Sequence, residues 1–445
     1  MQKRLLSGLF WMLLLNLLVK PLWIFGIEVG VQNTVGNATY GFYSAVFNLA
    51  YIFNILLDIG ITNFNARNIA QHPQLIAKHL GGILCLKVLL LGLYVLVTVS
   101  VGMLMGYGSE EFRLLAWLCV AQFLVSLILY LRSNFEGLLL FKWDSVISVL
   151  DRVLMILICG SLLWSPLRAR FNIYWFVYAQ VGAYALTALV ALTVLMRKSH
   201  MRRIRWNWPF FLVILKQSAP FAMLVLLMAS YNRIDPILLR AMVDDRMAGI
   251  YAGAFRLLDA VTMVAYLVSV LLLPVYARLC KQDRSQIASI TRLVFMPMMA
   301  FGLVVAVGCS AFAEPIMRLL YHDNGIEYVP VFRVIIFGII PIGLTYIFGT
   351  LLTAGGYIKQ LVIFAAVSLL LYVGIDLILI PRYGAVGSAW TSLFVQSFMA
   401  VAQLLLAVRV FSLPASAFRP PAIKELKNLP SLIKPDTPAD TASKE

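Results

Sequence analysis

Seven basic side chains, Lys20, Lys87, Arg152, Lys216, Arg233, Arg256 and Arg333, lie in or at the rims of stretches apolar enough to span a bilayer. A charge at the bilayer centre costs about 2.5–3.5 kcal/mol on insertion scales, so each of these residues needs a reason to be there. Chemically, ammonium and guanidinium groups hold anions. Arg does so with a planar fork that matches phosphate oxygens. Acidic residues occupy the same kind of segment (Asp58, Asp151, Asp235, Asp259 and Asp376), but the chain as a whole carries +16. A membrane interior biased toward positive charge implies a polar path for something anionic.

The candidates are unequal. Lys20 is followed by Pro21, which removes a backbone hydrogen bond and loosens the helix. Snorkelling from there would have to cover roughly 10 Å of helical rise. Lys87 and Arg152 lie one to two turns from the basic side, where snorkelling competes with function. Asp151 and Arg152 point about 100° apart on a helix and so serve different partners. Arg256 and Asp259 are three apart, on one helical face, where a salt bridge competes with ligand binding. Arg233 and Asp235, in Tyr-Asn-Arg-Ile-Asp-Pro, and Arg333 fall near span ends, and Lys216 reads as an anchor. Asp58 and Asp376 have no basic neighbour in their own helix. Each either pairs with a cation on another helix or cycles a proton or metal cation. Asn48, Asn54, Asn63 and Asn65 give the second span a polar face.

These residues require helices to position them. Hydrophobic residues make up 62% of the chain and charged residues 13%, about half the charged content of a soluble domain, so this is an integral membrane protein. Twelve stretches reach spanning length: 7–27, 41–64, 80–105, 114–132, 145–164, 173–196, 212–234, 247–276, 292–312, 331–353, 360–380 and 385–409. Backbone groups in lipid must be satisfied within the segment, so the spans are α-helices. With both termini inside, the inner connections collect 22 Lys and Arg against seven outside. The positive-inside rule therefore places both termini in the cytoplasm, with Arg168 and Arg170 as the weakest point. The same topology explains the basic pI without nucleic acid. The residues after Phe411 are poor in apolar content, and 412–445 reads as a disordered tail.

Gly41-Phe-Tyr-Ser-Ala-Val-Phe-Asn-Leu49 opens the second span, and Gly249-Ile-Tyr-Ala-Gly-Ala-Phe-Arg-Leu257 opens the eighth. Gly, Tyr, Phe and Leu coincide in register, and Ala66-Arg67 is echoed by Ala277-Arg278. Six spans separate the copies, which predicts a parallel repeat: an N-terminal six-helix lobe, 1–206, and a C-terminal one, 207–411, around a central cavity.

Enzyme signatures are missing. The four His and five Cys show no metal-ligand spacing, and no P-loop occurs, so no ATP use and no resident cofactor are expected. The order of several short motifs resembles the polysaccharide (O-antigen type) flippases of the multidrug/oligosaccharidyl-lipid/polysaccharide exporter superfamily. They are Leu57-Asp-Ile-Gly60 with Arg67, Tyr231-Asn-Arg-Ile-Asp235, the nonamer Gly249–Leu257, Ile316-Met-Arg-Leu-Leu-Tyr321 and Ile380-Pro-Arg-Tyr-Gly-Ala-Val-Gly-Ser-Ala389. The resemblance covers about residues 5–410. It implies a bacterial inner-membrane protein that moves polyprenyl-pyrophosphate-linked sugar or oligosaccharide from the inner to the outer leaflet by alternating access, in company with other polysaccharide-assembly proteins. It further implies Lys20, Arg67, Arg152, Arg233 and Arg256 as the cations that hold the anionic substrate. Asp58 and Asp376 would be the acids coupling transport to a proton or sodium gradient.

Two other readings compete. The related drug/cation antiporters also have twelve spans, but a cationic substrate favours a cavity dominated by carboxylates. A membrane enzyme, such as a polyprenyl-sugar transferase or glycan polymerase, is disfavoured by short outer loops and the lack of clustered catalytic carboxylates.

Overall fold

The structure, a computed structural model, describes residues 18–420 apart from 20, 63–64, 66–68, 70–75, 139, 200–221, 283, 285 and 322–324. All its regular elements among these residues are helical. Among the described residues, nine helices are long and apolar enough to cross a membrane, or ten if one bent pair counts as a span. The first described element, α1, is a π-helical turn, Leu22–Glu28, that runs directly into an α-helix, Val29–Val35. Pro21 precedes it and cannot donate a backbone hydrogen bond, a usual local cause of widened winding. Hydropathy ended this span at residue 27. The helix instead continues through Glu28 to Val35, which carries a carboxylate into a span. Gly36, at φ 82°, breaks the chain before α2, Asn37–Ile52.

The second span was expected to run to 64. Its α-helix ends at Ile52, tightens into a 3-10 turn, Phe53–Leu57, and then reverses through Ile59 (φ 41°) and Gly60 (φ 79°). Asp58 stabilises that reversal by accepting from the Thr62 backbone N–H at 3.3 Å and from the Thr62 hydroxyl. A β-branched residue in the left-handed region is costly and persists only where its surroundings over-determine it. The next helices are α3 (Ile76–Leu104), α4 (Ser109–Gly137), α5 (Phe141–Leu163) and α6 (Ile173–Ser199). The bent pair is α7 (Ala222–Arg233) and α8 (Asp235–Met242), kinked by 48° where Pro236 follows Asp235. After it come α9 (Asp245–Gln282), α10 (Gln286–Ala311), α11 (Ala313–Leu320), α12 (Gly325–Ile335), α13 (Ile339–Ala354) and α14 (Ile358–Phe411). The last is two helices in series. Pro381 and the non-helical Gly384 (φ 54°, ψ −135°) divide it where the predicted eleventh and twelfth spans meet.

The chain divides into two compact units. One comprises Met1–Arg256, Glu314–Phe332 and Leu369–Thr391; the other comprises Leu257–Ala313, Arg333–Ser368 and Ser392–Glu445. Among the described residues, two large apolar clusters lie in the first unit. Trp23, Ile27, Tyr43, Leu114, Leu118 and Phe176 centre one, and Leu86, Tyr130, Leu131, Phe135 and Ile147 the other. Between them, polar side chains of the second span bond to α4: Asn54 donates to Gln122 Oε1 at 2.7 Å, and Asn65 to Ser133 and Asn134. Asn48 instead folds back onto the Ser44 carbonyl, and Asn63 lies outside the described residues. In the second unit the start of the predicted tail is ordered. Ala415–Phe418 forms a 3-10 turn, and the Phe418 ring packs edge-on against Phe295 at 5.2 Å. Residues 421–445 lie outside the described residues. Large apolar side chains such as Leu96, Leu104, Leu157, Val304, Leu370 and Leu405 are exposed, as a lipid-facing surface requires.

Candidate functional site

Arg256, in the first third of α9 and only 5% exposed, is the centre of the site. Its Nε lies 3.1 Å from Glu28 Oε2 of α1, and its NH1 donates to the Tyr321 hydroxyl at 2.7 Å. Its guanidinium stacks 4.8 Å above the Tyr40 ring of α2. Tyr321 in turn donates a hydrogen bond to the Gly253 carbonyl at 3.2 Å and stacks on Tyr328 at 4.0 Å, nearly parallel. Burial holds the Tyr321 phenol above its ordinary value, with the neighbouring guanidinium opposing the shift. Tyr321 therefore stays a neutral phenol, and Glu28 is the formal counter-charge. A guanidinium held by a carboxylate, a phenol and an aromatic face is rigid. Its fork geometry suits a phosphate as well as it suits Glu28.

Arg152 of α5 joins the same cluster through Trp23. Its guanidinium lies 5.4 Å from the Trp23 ring, and the Trp23 indole N–H donates to the other Glu28 oxygen at 3.1 Å. Arg152 NH1 also donates to Tyr184 at 3.2 Å, while its contact with Asp151 is loose, at 3.9 Å. Its side chain is about a third exposed. Arg233, at the C-terminal end of α7, stacks its guanidinium near the Tyr51 and Phe255 rings, at 5.2 and 5.9 Å.

Two residues on, Asp235 is an acid of a different kind. It is 1% exposed and accepts from Tyr251, Tyr372 and Ser388 at 2.6, 2.8 and 2.6 Å. Tyr372, which bonds to Asp235, and Asp376 are one turn apart on α14, so Asp376 lies on the same side of that helix. Asp376 is fully buried, and neither of its oxygens has a hydrogen-bond partner among the described residues. A buried carboxyl without donors, one turn from a tyrosine that bonds a second buried carboxyl, suits a small cation or a proton.

Comparison with known proteins places this arrangement. Residues 5–280 match the family model described as "Polysaccharide biosynthesis protein". The chain belongs to that family. No curated protein is similar enough in sequence to match it. A multidrug resistance MATE transporter of the MOP superfamily, in its inward-facing conformation, is 13% identical over 87% of this chain and 94% of its own, with a TM-score of 0.68. The lipid II flippase MurJ, in an inward closed conformation, is 15% identical over 97% and 93%, with a TM-score of 0.66. A MOP superfamily transporter from Pyrococcus furiosus, noted for the reversed polarity of its binding pocket, is 15% identical over 91% and 93%, with a TM-score of 0.56. At these identities the likeness is one of fold.

Within this polysaccharide biosynthesis protein the remaining sequence candidates separate. Asp58 is held by Lys87, whose Nζ lies 3.0 Å from Oδ1 and also donates to Leu57 O and Ser126 Oγ. Lys87 is 1% exposed, so it does not snorkel; the reversal after Leu57 delivers an acceptor to it. Lys20 and Arg67 lie outside the described residues, as does Lys216. Arg333 is exposed, in keeping with an anchor. Glu28, Trp23 and Tyr40 are unmarked in the sequence, and Tyr321 is marked only as part of a motif. Glu28 fell one residue past the end of an apolar window, and the aromatic residues are individually common in membrane helices. The family resemblance offers one signal: Tyr321 closes the motif Ile316–Tyr321.

Proposed function

We propose that this member of the polysaccharide biosynthesis family is a flippase for a polyprenyl-pyrophosphate-linked sugar or oligosaccharide, working by alternating access in a bacterial inner membrane. The observation that carries the reading is the pair of arginines, Arg256 and Arg152, gathered with aromatic faces around a single carboxylate inside membrane helices. The diphosphate is held by the guanidinium groups, the first sugar lies against aromatic faces, and the prenyl tail stays in lipid. Desolvation strengthens the charge-assisted bonds to phosphate there. Arg233 extends the cationic surface toward Tyr51. Asp376, beside Asp235, is the coupling acid, binding a proton or sodium ion in one conformation and losing it in the other. Asp58 is less suited to that task because Lys87 already balances its charge.

The family match supports a role in polysaccharide synthesis, and the fold shared with MurJ and MATE transporters supports translocation rather than catalysis. A cationic-drug antiporter is supported by the MATE likeness alone, since the groups turned toward Glu28 are guanidinium and aromatic rather than carboxylate. The deciding experiment uses proteoliposomes loaded with a fluorescent polyprenyl-pyrophosphate sugar and an impermeant quencher. Wild-type protein should expose the lipid to the quencher, and R256Q should slow this at least about tenfold. Absence of lipid movement, together with export of a cationic dye, would overturn the reading.

A further inference from the structure

A phosphate that takes the Nε edge of Arg256 must displace the carboxylate already there. The Arg256 Nε is within 3.1 Å of Glu28, its NH1 is committed to Tyr321, and one face is covered by Tyr40. Of these partners only Glu28 carries charge that competes with a phosphate. It is also the accessible one of the ion pair, with 26% of its side chain exposed against 5% for Arg256. Its second oxygen is held by the Trp23 indole, whose ring faces the Arg152 guanidinium. Glu28 is thus tied to both arginines at once. It closes a π-helical turn immediately before ordinary α-helix, a place where helical winding can change at modest cost.

We infer that Glu28 is a resident counter-anion: its carboxylate occupies the place of a substrate phosphate oxygen in the empty carrier, and the incoming diphosphate displaces it from Arg256. This rests on the proposed anion-binding role of the cluster and adds a residue that sets its affinity. Exchange of one anion for another leaves the arginine paired throughout, so the empty carrier never holds an uncompensated buried cation, which would be costly. The same competition makes release possible, because Glu28 returns to Arg256 as the diphosphate leaves. Glu28 is therefore a specificity-determining residue: a weak anion cannot evict it, whereas a diphosphate spanning Arg256 and Arg152 can.

The test is binding of inorganic pyrophosphate, by calorimetry, to full-length protein in nanodiscs of phosphatidylcholine. Glu28→Gln keeps the size of the side chain and an acceptor for Trp23 but removes the charge. The inference expects E28Q to bind pyrophosphate about tenfold more tightly than wild type, and E28Q/R256Q to lose the gain. Glu28→Asp, which retains the charge, should stay near wild type and covers the case in which E28Q does not fold. With E28D as the readout, looser binding by an order of magnitude would count against competition. A purely structural role for Glu28, tethering α1 to Arg256, predicts the opposite sign: E28Q would loosen Arg256 and weaken binding. Equal or weaker binding by E28Q, with binding still dependent on Arg256, overturns the inference and leaves the anion site intact. If no variant binds pyrophosphate, the anion-binding reading itself fails. Repeating the measurement in phosphatidylglycerol nanodiscs separates the two phosphate sources. A preserved gap between E28Q and wild type supports the diphosphate, and its disappearance assigns the site to a lipid headgroup and overturns the inference.

Discussion

Gly41 of α2 and Gly249 of α9 meet backbone to backbone: a Cβ on Gly41 would fall 1.7 Å from the Asp245 carbonyl oxygen and 2.5 Å from the Gly249 nitrogen, and one on Gly249 would fall 2.0 Å from the Asn37 carbonyl oxygen. These are the first residues of the two similar nonamers, which therefore touch each other in the fold. Around the crossing, Gln32 donates to the Gly249 carbonyl at 2.9 Å and to Tyr328 at 3.0 Å, and Tyr328 bonds to Asn37. No side chain can be added at either glycine without moving a helix.

Gly41→Ala and Gly249→Ala should therefore each lower stability by about 1–3 kcal/mol or more, the usual range for overpacking, since the atoms in the way are backbone. The control is Gly92→Ala in α3, where a Cβ meets nothing within 4 Å and helix propensity favours Ala. Thermal unfolding in detergent measures all three. A Gly41→Ala protein as stable as Gly92→Ala would mean that the helices are free to separate.

Lys87 should behave as one half of a buried pair. Lys87→Met leaves Asp58 and the Leu57 carbonyl facing an apolar side chain, and removal of one partner of a buried pair typically costs about 3–5 kcal/mol. Asp58 is itself 20% exposed, so the lower end of that range is expected. Removing both charges in D58N/K87M should cost clearly less than the sum of the single changes. Additive losses in this double-mutant cycle would show that the two groups do not depend on each other.

The contrast between Lys87 and Glu28 shows what a sequence can disclose here. A charge inside an apolar run is visible, so Lys87, Arg152, Arg256, Asp58 and Asp376 could all be singled out by hydropathy alone. Their partners could not, because each comes from a helix distant in sequence: Asp58 for Lys87, Glu28 and Tyr321 for Arg256, Asp235 for Asp376. Hydropathy also treats a charge as a boundary. That is why the first span was ended at residue 27, just before the carboxylate that matters most. The helical class was legible because spanning length and apolar content leave few alternatives. The π-helical turn at Leu22–Glu28 and the reversal at Ile59 were not, since both arise from local backbone geometry that composition does not encode.

Asp376 and Asp235 should respond differently to loss of charge. Asp376→Asn removes a buried carboxyl without hydrogen-bond donors, so stability should hold or rise, while stimulation of transport by a proton or sodium gradient disappears. Asp235→Asn weakens the acceptor for Tyr251, Tyr372 and Ser388 and should cost about 1–3 kcal/mol. Pyrophosphate binding should be unchanged in the Asp376 variant, because that carboxyl is not among the groups around Arg256. Transport by D376N that still responds to an imposed gradient would remove this residue from the coupling role.

Tyr321 supplies a pH signature. Burial holds its phenol above the ordinary value, so the folded protein keeps this proton more tightly than the unfolded chain does. For a raised group the contribution is fully present below the unfolded value, about 10 for tyrosine, and is lost as pH climbs past it. Tyr321 should therefore add no pH dependence to thermal stability from pH 7 to 9, and stability should decline above about 10, with a shallower decline in Tyr321→Phe, which has no proton to release there. At neutral pH the same substitution removes a hydrogen bond to the Arg256 guanidinium and should cost about 1.5–3 kcal/mol, the range for bonds to charged groups. Because Phe preserves the ring that stacks on Tyr328, the neutral-pH loss reports the hydroxyl alone. Identical alkaline slopes for wild type and Tyr321→Phe would place the relevant titration at another residue.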